Sequence, residues 1–147
     1  MPRFLEDLAP GDEIATPART ITESDVVQFA QLTGDWNPIH TDAEFAKTTP
    51  YGQRLAHGLV GLSFAIGLLD RTGAFSGSVI ANLGIEEWKY PKPIFIGDTL
   101  RVVVTVTDVR PTSDGKRGVV GRRFRVLNQH DEVVQEGRSP VMVRRRP

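Results

Sequence analysis

From Leu100 to Val109 apolar and polar side chains alternate: Leu100, Val102, Val104 and Val106 fall on one side, Arg101, Thr105 and Thr107 on the other, with Val103 the exception. A period of two marks a half-buried β-strand, because successive side chains of a strand point to opposite faces. Gly118 to Leu127 and Glu132 to Val143 read as two more long strands, and Val79 to Ile85 and Glu87 to Tyr90 as shorter ones. The links between the long strands are short and built from turn formers, Pro111-Thr112-Ser113-Asp114-Gly115 and Asn128-Gln129-His130-Asp131. Strands joined this tightly pair antiparallel, since a parallel neighbour needs a long crossover. So the second half of the chain is an antiparallel meander.

Ahead of the meander lies one strongly apolar segment. Leu59, Leu62, Ala65, Ile66 and Leu69 recur at three- and four-residue intervals, which predicts a helix from Leu59 to about Arg71. It is apolar nearly all round, the pattern of a buried helix, and Gly61, Ser63, Ala65 and Gly67 let another layer come close to its backbone. Helices followed by a meander argue an α+β fold: one long buried helix wrapped by one antiparallel sheet. A chain of 147 residues suffices for one core, and no linker or repeat divides it, so residues 1–147 are expected to form one domain. A single sheet of this kind keeps an edge and an open face, which favours self-association.

Composition removes several function classes. Basic and acidic residues balance at 18 each, so no global field recruits nucleic acid. The absence of cysteine removes disulfides, thiolate nucleophiles and cysteine metal sites. Met1 to Leu8 has no apolar run of signal-peptide length, and Leu55 to Leu69 is too short to span a bilayer. The expectation is a soluble, cytoplasmic protein without a membrane partner. The terminal Arg144-Arg145-Arg146 reads as a solvated tail.

Chemistry concentrates in Thr33-Gly34-Asp35-Trp36-Asn37-Pro38-Ile39-His40. The segment before it is a helix: Thr22 with Asp25 three residues on approximates a capping box, Val26, Val27, Phe29, Ala30 and Leu32 supply the stripe, and Gly34 stands at the C-terminal end. Gly34 and Pro38 make the motif a loop leaving that helix. Asp35 and His40, five residues apart, would diverge on a helix, whereas a proline-stiffened loop can aim both at one small volume. That is the layout of an acid–base pair. Taken singly, an aspartate at a helix end or a lone histidine is ordinary structure; Asn37, Pro38 and the downstream Ala56-His57-Gly58 are what turn the pair into a candidate site. The spacing of Asp35, His40, His57 and His130 fits no short metal motif.

Phe29 through His40, Arg54-Leu55-Ala56-His57-Gly58, Glu87-Trp88-Lys89-Tyr90-Pro91-Lys92-Pro93 and Gly97-Asp98-Thr99-Leu100 together resemble the signature of the MaoC-like, R-specific enoyl-CoA hydratases, over most of the chain. The resemblance implies a hot-dog fold and a homodimer or a larger assembly of dimers. It also implies an acyl-CoA or acyl-carrier-protein thioester as substrate, and no cofactor or metal. It makes Asp35 and His40 the catalytic pair that activates water for addition to a trans-2-enoyl thioester. Gly58, at the start of the apolar helix, would then offer a backbone N–H to the thioester oxygen. Asn37 and Ser63 become supporting residues, with packing an equal reading for Ser63; Trp36 and His57 become candidates for substrate contact, although for His57 shaping the turn before the apolar helix is the favoured reading. Trp88 and Tyr90 read as sheet packing, and Arg122, Arg123 and Arg125 as strand arginines within the range of chemistry that meets phosphates. A hot-dog thioesterase and a non-catalytic acyl-binding or scaffold subunit are the alternatives: the first releases free thiol, the second binds acyl-CoA without turnover.

Overall fold

The computed structural model describes residues 1–147. The chain order is β1 (Glu13–Ala15), β2 (Arg19–Thr20), α1 (Glu23–Thr33), α2 (Pro38–Thr41), α3 (Ala43–Lys47), α4 (Gly58–Asp70), β3 (Val79–Asn82), β4 (Glu86–Lys89), β5 (Thr99–Pro111), β6 (Arg117–Leu127), β7 (Val133–Arg138) and β8 (Val141–Arg144). All strand pairs are antiparallel. β5 and β6 form the spine, with Val102 opposite Val126 and Val104 opposite Phe124. β1 and β2 flank β5, β7 and β8 share the other side of β6, and β4 and β3 cover their outer sides.

The alternation of β5 produces this arrangement directly. Leu100, Val102, Val104 and Val106 are all buried, and the first three meet Val60, Ala65, Leu68 and Leu69 of α4 in one core with Phe124, Val126 and Val134. A smaller cluster of Leu5, Leu8, Val106, Val120, Val141 and Val143 closes the far end of the sheet. The helix-on-sheet reading therefore holds.

Three expectations change. The last long strand is two, β7 and β8, because Ser139-Pro140 interrupts it, and proline has no N–H for a ladder. α4 is buried on one face only: Val60, Gly61, Ala65, Leu68 and Leu69 turn inward, while Leu59, Ser63 and Gly67 are exposed. Third, Thr33 to His40 is not wholly loop, since Pro38–Thr41 makes a turn of helix. No helix is long and apolar enough to cross a membrane.

Candidate active site

Helix α1 delivers the site. Thr22 caps it reciprocally with Asp25: the Thr22 hydroxyl accepts from the Asp25 N–H, and the Asp25 carboxylate accepts from the Thr22 N–H at 2.8 Å. At the other end Gly34 sits at φ +79°, the left-handed conformation that glycine adopts without cost, and its N–H closes on the Ala30 carbonyl. From there the backbone is staked by a relay of short side chains. The Thr33 hydroxyl accepts from the Asp35 N–H, the Asp35 carboxylate from the Asn37 N–H, and the Asn37 amide oxygen from the Ile39 N–H, each at 3.2 Å. The last of these makes Asn37 the N-cap of α2, with Pro38 at the favoured first position. This is why the loop turns into helix just before His40.

His40 is anchored from outside. Its Nδ1 lies 2.8 Å from the Leu55 carbonyl, while the Leu55 N–H donates to the Ile39 carbonyl at 3.1 Å. A carbonyl only accepts, so Nδ1 carries the proton and Nε2 keeps its lone pair. His57, the residue before α4, is buried, and its Nε2 sits 2.9 Å from the Asp35 carbonyl, while Nδ1 has no partner. The same reasoning puts the His57 proton on Nε2. The two rings stack at 3.9 Å between centroids, and Phe29 tilts against His57 at 5.0 Å. Burial, the largest influence, and the neighbouring His57 both push the His40 pKa below its ordinary value; the Leu55 hydrogen bond and Asp35 oppose them. His40 is thus a neutral imidazole at neutral pH, with Nε2 as a free base.

Asp35, His40 and His57 hold atoms able to bind a metal within 4.8 Å of one another, although their sequence spacing matches no metal motif. The stacking works against that use. A metal bond lies in the plane of an imidazole ring, and two rings stacked at this distance cannot both aim an in-plane lone pair at one ion without separating.

Gly58 opens α4 next to this cluster, and its N–H, the first of the helix, has no intrahelical acceptor. The Tyr90 ring lies over it: a Cβ on Gly58 would come 2.8 Å from Tyr90 Cε1. Trp36 and Asn37 are exposed beside the pair. The structure also places the two remaining candidates, His57 and Ser63. His57 is buried as the N-cap of α4 with its Nε2 on the Asp35 carbonyl, which gives it the turn-shaping place that its sequence position favoured over substrate contact. Ser63 lines a separate cleft with Arg19, Phe64 and Arg71.

The strand arginines are accounted for in the fold. Arg122 is buried between Phe75 and Phe124, donates to the Ser139 carbonyl, and is pushed down to about 10 by that burial. Arg123 pairs with Glu136 and Arg125 with Glu13 on the outer face of the sheet. The sequence did not point to the Leu55 carbonyl or to Gln135, whose side chain reaches the Gly58 carbonyl. Only Gly61, a glycine inside a helix, hinted that something packs there.

Residues 6–126 match the model of the MaoC like domain. The chain is 35% identical over 140 residues to the (R)-specific enoyl-CoA hydratase of Rhodospirillum rubrum, covering 95% of this chain and 91% of that protein. It is 40% identical over 103 residues to Protein MaoC of Klebsiella aerogenes, but those cover 70% of this chain and only 30% of that longer protein. Among solved structures, the MaoC-like dehydratase from Rhodospirillum rubrum superposes with a TM-score of 0.84 at 31% identity, covering 99% of both chains.

Proposed function

The chain belongs to the MaoC-like domain family, and from that membership we propose that it adds water across the double bond of a trans-2-enoyl thioester to give the R-3-hydroxyacyl product, or runs the reverse dehydration. The Rhodospirillum relatives are named a hydratase and a dehydratase, and the chain is an enzyme of that class. The observation that carries the proposal is the state of His40: a neutral ring with Nδ1 tied to Leu55 and Nε2 free, beside the exposed Asp35.

In this reading the Asp35 carboxylate orients a water and His40 Nε2 takes its proton. The water oxygen bonds to C3 of the thioester, and the double-bond electron pair moves through C2 onto the thioester oxygen. The Gly58 N–H, with the positive end of α4 behind it, stabilises that oxygen; one such donor is commonly worth about 3 kcal/mol. The imidazolium then returns the proton to C2, so that one water is consumed and nothing else. Asn37 supports by fixing the turn into His40, His57 by holding the Asp35 backbone, and Trp36 flanks the acyl group. Ser63, on the open face of α4, serves a site completed by a second copy. The substrate handle is coenzyme A or an acyl-carrier protein, and the assembly is a homodimer whose second copy covers the open face of α4 and the outer edge of the sheet.

The test is direct. Purified protein mixed with a panel of trans-2-enoyl-CoA esters should remove the conjugated absorbance and yield R-3-hydroxyacyl-CoA on chiral analysis. Asp35→Asn and His40→Ala should each lower kcat about a hundred- to ten-thousandfold. Full activity in both variants would sink the mechanism. Release of free thiol in place of hydration would redirect the assignment to thioester hydrolysis.

A further inference from the structure

The first turn of α4 is held by a buried amide from the opposite layer. Gln135, on β7, is almost fully buried, and both ends of its side chain are used. Its Nε2 donates to the Gly58 carbonyl at 2.9 Å, and its Oε1 accepts from the Trp88 indole N–H at 3.1 Å. The tryptophan proton fixes which end of the amide is which, since an indole N–H only donates.

The surrounding backbone is shaped to admit this chain of contacts. A Cβ on Gly61 would lie 2.5 Å from the Gln135 amide, and one on Gly137 would lie 2.5 Å from the Trp88 ring and 2.8 Å from Trp88 Cα. Neither glycine has a positive φ, so space and not backbone conformation is what requires glycine at these positions. β4 is bulged between Glu86 and Lys89, with Glu87 at φ +51°, and within that irregularity Trp88 is the residue turned inward. Bulges commonly re-aim a side chain in this way. Non-glycine residues at positive φ are uncommon, so the bulge marks a place where local backbone preference is set aside for a tertiary contact.

We propose that Gln135 is a positioning residue for the hydration reaction, with Trp88 orienting its amide, because together they pin the carbonyl of the glycine whose N–H receives the thioester oxygen. This rests on the reading of Gly58 as that donor. Gly58 is the first residue of α4 and has no side chain to restrain it, so its orientation rests on the bonds made by its backbone and its neighbours. Anchoring the carbonyl from the sheet while His57 anchors the preceding residue leaves the N–H one direction. An oxyanion donor works by being aligned before charge develops, so the benefit appears in the transition state and not in substrate binding. Gln135 acts through Gly58 and touches no reacting atom.

The closing experiment is a double-mutant cycle between Gln135→Met, which keeps the shape and removes both hydrogen bonds, and Gly61→Ala, which keeps the glutamine but displaces its amide. Each is read by steady-state hydration of a trans-2-enoyl-CoA ester and by amide hydrogen exchange at residues 58–62. We expect each single variant to lower kcat about tenfold with KM within about twofold, and the double variant to be no worse than the worse single. Trp88→Phe should show a smaller loss, since the bond to Gly58 survives. Amide exchange in the first turn of α4 should quicken in both single variants, with the rest of the helix unchanged. Additive kcat losses, losses in KM alone, or unaltered exchange at residues 58–62 would overturn the proposal. If the wild-type protein hydrates no enoyl thioester, the functional reading fails, and the exchange data still decide whether Gln135 holds this turn.

Discussion

At the scale of single residues, the site is defined by where two imidazole protons reside. Both histidines spend one nitrogen on a backbone carbonyl, His40 on Leu55 and His57 on Asp35, so both tautomers are fixed without any charged partner. Stacking leaves the pair intolerant of two positive charges, in keeping with the lowered pKa of His40. This has a stability consequence. With its folded pKa below the ordinary 6.5, His40 binds protons less readily folded than unfolded. The resulting contribution is present above about pH 6.5 and is lost as pH falls through the folded value. Urea titrations across this range should show stability falling on acidification below pH 6.5, and His40→Asn should flatten that slope. An unchanged slope would mean that another group carries the acid sensitivity. The kcat/KM profile should correspondingly stay level to a lower pH than an ordinary histidine allows.

Among the elements, α1 matters most because the loop that carries Asp35 is fixed to its end. Its two ends have different jobs, and substitution separates them. Thr22→Ala removes the cap and should cost about 1 kcal/mol of stability while leaving kcat nearly unchanged. Gly34→Ala meets no atom within 4 Å, so its penalty is the left-handed backbone alone, about 1–2 kcal/mol. The chain can relieve that strain only by re-routing Asp35, so kcat should fall well beyond what the loss of stability explains. Chemical denaturation and steady-state rates on both variants give the comparison; equal effects on kcat would show that the loop is not indexed by α1. The capped helix, Gly34, α4 and the strands from β3 to β6 were legible from the sequence, because caps, periodicity and turn chemistry are local. Pro38–Thr41 was not: proline and asparagine signal a turn, and the same pair serves as N1 and N-cap of a helix only once Ile39 and His40 are clasped to Leu55.

For the whole molecule, three of the exposed apolar residues gather in one place. Ile80, Leu83 and Ile85 follow the outer edge of the sheet, where β3 pairs on one side only, with β8. An apolar unpaired edge calls for a covering strand. The protein should therefore sediment as a dimer, and charging this edge with Ile80→Lys and Leu83→Lys together should shift it toward monomer with near-native circular dichroism. Because the open face of α4 lies outside the core of one copy, activity should fall with the dimer fraction. A fully active monomeric variant would place the complete site within one chain.

The sequence by itself determined the α+β architecture, the antiparallel sheet with its buried face, and the stretch in which Asp35, Asn37 and His40 stand together. Each of these is written in neighbouring residues: a period of two, a period near four, a glycine and a proline around an acid and a base. The tertiary structure alone decided how those groups are held. The His40 tether comes from residue 55, the Asp35 tether from residue 57, and the Gly58 tether from Gln135, 77 positions away. Hydrogen bonds between distant segments leave no periodic trace, because an isolated histidine or glutamine looks the same in sequence whether it is solvated, sealed or poised. For that reason His57 could be read either as a turn former or as a group for the substrate and Gln135 looked like nothing at all, while the fold bonds one to the Asp35 carbonyl and the other to the Gly58 carbonyl.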